Sequence, residues 1–151
     1  MKRDIILAGV GGQGILSIAT VIGEAALKDG LYLKQAEVHG MSQRGGDVQS
    51  NLRLSSEPIY SDLIPKGGAD IIISLEPMEA LRYLPYLKPD GWIVSSCKPF
   101  VNIPNYPDIE QVLDEVVFIR NGEIIRHTAV EELREQYDRS VDALFREEFK
   151  C

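Results

Sequence analysis

The sequence predicts an α/β fold, a single domain whose mostly parallel sheet carries helices packed on it. Three observations predict it. Short apolar runs rich in Ile, Val and Leu alternate with segments of helical period, the pattern of a sheet covered by helices. The first of these runs passes directly into a glycine-rich turn and then a helix. Finally, 151 residues with 44% hydrophobic content suffice for one buried core and not for a second full domain.

Residues 4–10 (DIILAGV) read as a first, fully buried strand, because the apolar run is unbroken. A helix follows over residues 14–30 (GILSIATVIGEAALKDG), with Leu16, Ala19, Ile22 and Ala26 spaced at three and four and Gly30 placed to end it. Residues 31–38 (LYLKQAEV) read as a second strand and residues 39–47 (HGMSQRGGD) as a polar, glycine-rich loop. In residues 48–56 (VQSNLRLSS), Val48, Ser50, Leu52 and Leu54 alternate with Gln49, Asn51 and Arg53, which predicts a half-exposed strand at a sheet edge. Residues 69–75 (ADIIISL) are another buried strand, and residues 76–87 (EPMEALRYLPYL) a helix with Pro77 in its first turn and an end or kink at Pro85. Residues 90–96 (DGWIVSS) give a further strand.

Charge and cysteine usage exclude several classes of function. A net charge of −7 and a pI near 4.8 argue against nucleic acid, which needs clustered Lys and Arg. Lys2 and Arg3 precede an apolar run as in a secretion signal, but Asp4 and the glycines interrupt it early, and no apolar stretch is long enough for a membrane span. Cys97 and Cys151 are too isolated for a metal-ligand pair or a disulfide framework, so a reduced, cytoplasmic protein is expected.

Gly9, Gly11 and Gly14 match G-x-G-x-x-G between a strand and a helix, the context in which the pattern bears on nucleotide phosphates. In that reading Gly9 permits the sharp turn, Gly11 admits a ligand close to the backbone, Gly14 lets helix and strand approach, and Gly12 adds freedom. The helix N–H groups beyond them favour an anion. Glu37 lies near the spacing of about 20 residues at which an acid takes the ribose of a dinucleotide. A turn that serves packing alone explains the same glycines. A second cluster, His39, Ser42, Gln43, Arg44, Gly45 and Gly46, falls at the carboxyl end of the second strand, where ligands of open α/β sheets bind. Two glycine-rich loops at one edge form one cleft, with Arg44 able to grip an anion and His39 able to donate a hydrogen bond or move a proton. The bland alternative has His39 ending its strand and Arg44 paired with one of many acids.

The combination of "GVGGQGI", "AEVHGMSQRGGDVQSNLR", "SLEPMEALRYL" and "KPFVNIPNYPD", in unbroken order over about residues 3–110, strongly resembles the gamma-type catalytic domain of 2-oxoacid:ferredoxin oxidoreductases, and within that family the indolepyruvate beta-subunit type. The resemblance implies one Rossmann-like three-layer domain, a pyruvate/ketoisovalerate oxidoreductase gamma-type domain over residues 1–151. It implies a small subunit, inactive alone, of an enzyme that oxidatively decarboxylates an aryl pyruvate such as indolepyruvate, with coenzyme A as acyl acceptor and ferredoxin as electron acceptor. Thiamine diphosphate, magnesium and the [4Fe-4S] clusters are then expected in a large partner subunit, with ferredoxin reached through the complex. The cysteine count agrees independently, since a four-iron cluster needs four thiolates and this chain has two cysteines. Gly9, Gly11, Gly12, Gln13 and Gly14 would face the shared cleft, and His39, Ser42, Gln43, Arg44, Gly45 and Gly46 would form its second wall. Arg44 would hold a substrate carboxylate or a coenzyme A phosphate, and Gln13 would orient either. No residue is assigned a catalytic role. Glu76 either contacts the same cleft or is a carboxylate favoured by a helix N-terminus.

From about residue 115 the chain departs from the family pattern. Residues 116–130 read as two short strands around Asn121-Gly122, a hairpin dipeptide, and residues 130–151 as a charged helix with one apolar stripe of Val130, Leu133, Tyr137, Val141, Leu144 and Phe145. That helix docks on the domain or on a partner. His127 and Cys151 carry no functional expectation. Two other classes remain open at this point: an NAD(P)-binding dehydrogenase domain, which accounts for the first loop and Glu37, and a non-catalytic docking module.

Overall fold

In a computed structural model, the structure describes residues 1–39, 46–96, 98–101, 115–120, 123–137 and 147. The chain divides into two compact units, Met1–Asn102 and Ile103–Cys151. The first holds β1 (Lys2–Val10), α1 (Ile15–Lys28), β2 (Tyr32–His39), β3 (Asp47–Ser55), β4 (Ala69–Ser74), α2 (Pro77–Arg82), a 3-10 turn (Leu84–Tyr86) and β5 (Leu87–Ser95). Its five strands lie in the order β2-β3-β1-β4-β5. Parallel pairing joins β1 to β4 and β4 to β5, and antiparallel pairing joins β3 to both β1 and β2. Four strands therefore run one way and β3 alone runs against them.

The apolar run of β1 is explained by cover on both faces. Ile5 and Leu7 pack with Leu52 and Leu54 of β3 against Ile15, Ala19 and Ala26 of α1. Ile6 and Ala8 pack on the opposite side with Ile64, Ala69, Ile72 and Tyr83. In α1 the buried positions are Ile15, Ala19, Gly23 and Ala26. The expected stripe is thus corrected by one position at its start, for Leu16 is 47% exposed and Ile15 takes its place. Gly23 lets α1 close on β2, since a Cβ there would stand 3.0 Å from Leu33 Cδ2. Helix α1 ends as a Schellman turn: Gly30 at φ 72° donates to Leu27 O and Leu31 donates to Ala26 O.

Strand β3 corrects a second expectation. It is interior, between β2 and β1, and residues 50–55 are all buried. Its Asn51 and Arg53 side chains face the segment after the strand rather than water. Asn51 Oδ1 accepts the Ile64 N–H at 3.2 Å, and the Arg53 guanidinium, 8% exposed, donates to both Asp4 oxygens at 2.8 and 3.1 Å and to the Ser61 and Leu63 carbonyls at 3.1 and 3.0 Å. Asp4 is the cross-strand partner of Arg53. Alternating polarity here marks a filled polar layer.

Strand β5 is longer than expected and carries an irregularity at its start, where Ala69 pairs with Leu87 but Ile71 pairs with Trp92. Lys88 salt-bridges Asp70 across that step at 2.5 Å, and Asp70 Oδ2 accepts the Asp4 N–H at 2.8 Å. Burial alone would raise the Asp70 carboxyl, but the Lys88 hydrogen bond, the Asp4 N–H and the charges of Lys88 and Arg3 outweigh it and hold the carboxyl below its ordinary value. The second unit contains the antiparallel pair β6 (Glu115–Arg120) and β7 (Glu123–Ala129), followed by α3 (Val130–Tyr137). Arg120 pairs with Glu123, as a two-residue hairpin requires, while Asn121 and Gly122 lie outside the described residues, as does the rest of the expected long helix apart from residue 147. His127 Nε2 and Glu115 Oε2 lie 2.8 Å apart, both exposed, which makes His127 a surface residue.

Candidate functional site

The carboxyl ends of β1, β2, β4 and β5 meet at one edge of the sheet, and β3 begins there. The first glycine loop is built around Gln13. Its Oε1 accepts the Val10 N–H at 2.8 Å, its Nε2 donates to Leu75 O at 3.3 Å, and its own N–H donates to Val10 O at 3.1 Å. Both ends of the amide are therefore spent on fixing the loop between β1 and the end of β4.

The glycines divide the work differently from the expectation. Gly9 is the packing glycine, because a Cβ there would lie 2.9 Å from both Gln13 Oε1 and Ile15 Cδ1. The turn is made by Gly12 at φ 97° and Gly14 at φ 89°, in the left-handed region, with open space around both. Gly14 starts α1 with no side-chain cap, so the first-turn N–H groups form a positive end able to meet an anion. The Gly11 N–H donates to Gly46 O at 2.9 Å.

That last bond joins the two glycine loops. It continues the antiparallel ladder of β1 and β3, in which Gly9 pairs with Val48 and Val10 with Asp47. Of the second cluster, Gly46 and the backbone of His39 are described, and His39 pairs with Val48 at the same edge. Ser42, Gln43, Arg44 and Gly45, and the His39 side chain, lie outside the described residues.

Beside Gly46 stands a polar cluster that sequence reasoning missed. Tyr83 Oη lies 2.9 and 2.8 Å from the two carboxylate oxygens of Asp47 and donates its proton to them. Glu79 accepts two bonds from Arg82, at 2.7 and 3.3 Å. Burial, and then the hydrogen bond and charge of Asp47, raise the Glu79 carboxyl above its ordinary value against the opposing pull of Arg82. Burial and the Asp47 carboxylate likewise push the Tyr83 hydroxyl strongly upward, so it stays a donor. The available signal was weak: an acid directly after a Gly-Gly pair, and a tyrosine inside the helix expected over residues 76–87. Glu76 resolves toward the helix reading. It is 2% exposed and N-caps α2, its Oε2 accepting the Glu79 N–H at 3.0 Å and its Oε1 the Phe100 N–H at 3.4 Å.

Glu37 sits in β2, and β3 separates β2 from β1. It therefore stands two strand spacings, about 9–10 Å, from β1, one strand farther than an acid on an adjacent strand. The Gly11 N–H is also turned toward Gly46 rather than toward a pyrophosphate. Among the described residues no group of three or more His, Cys, Asp or Glu is placed to hold a metal ion, and no helix is long and apolar enough to cross a membrane.

Comparison with known proteins agrees with the resemblance in the sequence. The family model for pyruvate ferredoxin/flavodoxin oxidoreductase matches residues 4–138. Indolepyruvate oxidoreductase subunit IorB of Pyrococcus horikoshii is 40% identical over 134 residues, covering 85% of this chain and 66% of that protein. The subunit of the same name from Thermococcus kodakarensis is 42% identical over 117 residues, covering 74% of this chain and 57% of its own length. The chain thus spans roughly three fifths of the length of these relatives. Among solved structures, the 2-oxoglutarate:ferredoxin oxidoreductase from Magnetococcus marinus, with 2-oxoglutarate, coenzyme A and succinyl-CoA bound, shares the fold over 71% of this chain and 18% of its own, with a TM-score of 0.57 at 24% identity.

Proposed function

The chain belongs to the pyruvate ferredoxin/flavodoxin oxidoreductase family, and from that premise we propose that it is the small subunit of a thiamine-diphosphate-dependent 2-oxoacid:ferredoxin oxidoreductase of the cytoplasm. The reaction is the oxidative decarboxylation of an aryl pyruvate such as indolepyruvate. The 2-oxoacid loses carbon dioxide, its acyl group passes to the coenzyme A thiol, and two electrons leave through iron–sulfur clusters to ferredoxin. The choice of aryl pyruvate rests on the indolepyruvate subunits at 40% and 42% identity.

The observation that supports the reading is the Gly11–Gly46 bond, which ties the first glycine loop to the last glycine of the second cluster at one edge of the sheet. This chain's donors do not suit the electron carriers, since two cysteines cannot supply the four thiolates of a [4Fe-4S] cluster. Thiamine diphosphate, its magnesium and the clusters belong to a large partner subunit, where the thiamine supplies carbanion stabilisation. The part left to this chain is positioning and electrostatics. Its loop N–H groups and the uncapped start of α1 face an anionic group of substrate or coenzyme A, and Gln13 keeps that loop in place. His39, Ser42, Gln43, Arg44, Gly45 and Gly46 form the second wall, with Arg44 the anion grip. The three-layer, Rossmann-like description of the fold belongs to the same reading.

The test is viologen-linked oxidation of indolepyruvate with coenzyme A, by the candidate large subunit with and without this chain. Activity that arises only on mixing supports an obligate subunit. Full activity of the large subunit alone would reject that role and leave a docking module. In the active mixture, Arg44→Ala should raise the KM for the 2-oxoacid or for coenzyme A, and unchanged kinetics for both would remove Arg44 from the site.

A further inference from the structure

The strongest feature left unused is the Asp47, Glu79, Arg82 and Tyr83 cluster, which links α2 to the first residue of β3, and the inference drawn from it rests on the proposed two-loop site. Asp47 directly follows Gly46, whose carbonyl receives the Gly11 N–H. Its two carboxylate oxygens are held by one buried hydroxyl of Tyr83, 36 residues away. Tyr83 is in turn placed by the end of α2, where its own N–H donates to Ala80 O at 3.2 Å, and by the apolar cluster containing Ile6, Ala8 and Ile72. Helix α2 begins at a capped, buried Glu76 tied to Ser74 at the end of β4. At the last rung of the β1–β3 ladder, then, a side-chain brace from a different element holds Asp47, the first residue of β3.

We propose that Tyr83 is a positioning residue whose hydroxyl, clamped on Asp47, holds Gly46 against Gly11 and so sets the separation of the two glycine loops around an anionic ligand. The cluster is suited to this role and not to direct contact. Tyr83 and Glu79 are buried, and the hydroxyl is spent on Asp47. Arg82 completes the brace by pairing with Glu79, which offsets the repulsion between Glu79 and Asp47, while the Tyr83 hydroxyl supplies Asp47 with a hydrogen bond.

Two measurements on the full chain and on its assembled complex test the inference, using Tyr83→Phe, which keeps the ring in its apolar cluster. Tyr86→Phe is the control, since that ring lies 6.2 Å from Tyr83 in the same cluster but does not touch Asp47 through any bond described. In the full chain, amide hydrogen exchange at Gly11 should quicken about tenfold in Tyr83→Phe, the scale set by loss of a hydrogen bond to a charged group. It should stay near wild type in Tyr86→Phe. In the complex, Tyr83→Phe should raise the KM for indolepyruvate or coenzyme A several-fold while kcat changes little, and Asp47→Asn, whose amide oxygen still accepts from the hydroxyl, should be milder. Unchanged Gly11 exchange would overturn the clamp. Faster exchange with unchanged KM for both substrates would overturn its role at the site, as would an equal fall in kcat and kcat/KM that tracks global unfolding. A wild-type mixture inactive toward 2-oxoacids would count against the subunit reading alone, because the clamp would still be decided by Gly11 exchange.

Discussion

Arg53→Met is the perturbation whose cost the structure defines best. The guanidinium makes four donations, two to Asp4 and one each to the Ser61 and Leu63 carbonyls, all between 2.8 and 3.1 Å. The carbonyls belong to exposed residues and can turn to water, so their loss costs little. Asp4 cannot. It is 3% exposed, and without Arg53 its nearest cation is Lys2 at 3.4 Å, on a side chain that is 62% exposed. Breaking a buried pair by removing one partner costs about 3–5 kcal/mol, chiefly because a buried charge is left behind. With a urea slope of roughly 2 kcal/mol/M, the midpoint of the Met1–Asn102 transition should fall by about 1.5–2.5 M. Far-UV circular dichroism in urea measures it. The sign of the second step is the sharper test: Asp4→Leu combined with Arg53→Met removes both charges and should recover most of the loss. A single variant costing under about 1 kcal/mol, or a double variant as unstable as the single, would refute the buried-charge argument.

The remaining predictions concern the loop and the titrating groups. Gln13→Ala should cost about 1–2 kcal/mol for the two lost side-chain bonds, and Gln13→Glu, which keeps the acceptor for the Val10 N–H, should cost less; thermal melts compare them. Gly14→Ala should cost about 1–2 kcal/mol from backbone strain at φ 89° alone, whereas Gly9→Ala should disturb the loop by collision with Gln13 and Ile15, so only the latter should quicken exchange at the Val10 amide. For Asp70 the folded carboxyl lies below its ordinary value, so its stabilisation is complete above the unfolded value near 3.8 and fades as pH falls through the folded one; Asp70→Asn should flatten that acid limb. Glu79 has the opposite sign. Its raised carboxyl favours the fold below the ordinary value of 4.5 and loses that advantage as pH rises through the folded value, so Glu79→Gln should gain relative to wild type on going from pH 4 to 8.

What the sequence made legible follows from where periodicity is unambiguous. Strand β1 is covered on both faces and is an unbroken apolar run; α1 is bounded by Gly14 and Gly30, both left-handed in the structure. That Gly11 and Gly46 lie at one edge could be read because β1 and β2, the strands before their loops, run the same way. The failures have a common cause. Alternation in β3 shows that two faces differ, not that one is wet, and a buried Arg53–Asp4 layer gives the same pattern as an exposed edge. The motif located the glycines but exchanged the roles of Gly9 and Gly14, since spacing does not say which one needs room and which needs positive φ. Tyr83 was read only as part of the helix over residues 76–87, and its hydroxyl's partner is 36 residues distant, beyond any local pattern.

The reversed strand is what brings Gly46 back beside Gly11. Had β2 lain directly beside β1, the loop after it would have led away over a helix, and the glycines of β1 would have faced a ligand alone. With β3 between them, the second loop must return beside the first, and the Val10–Asp47 rung fixes where it arrives. Register in such a ladder is specified because a slip of one residue would turn Leu52 and Leu54 away from α1 and put Asn51 and Arg53 in their place. The apolar core thereby fixes the register of the rung next to Gly11 and Gly46, and the Tyr83–Asp47 contact acts on that same rung. A surface change near the loops should thus alter affinity by small steps, while a β3 core change such as Leu52→Ala, expected to cost about 2–5 kcal/mol, should loosen both loops together.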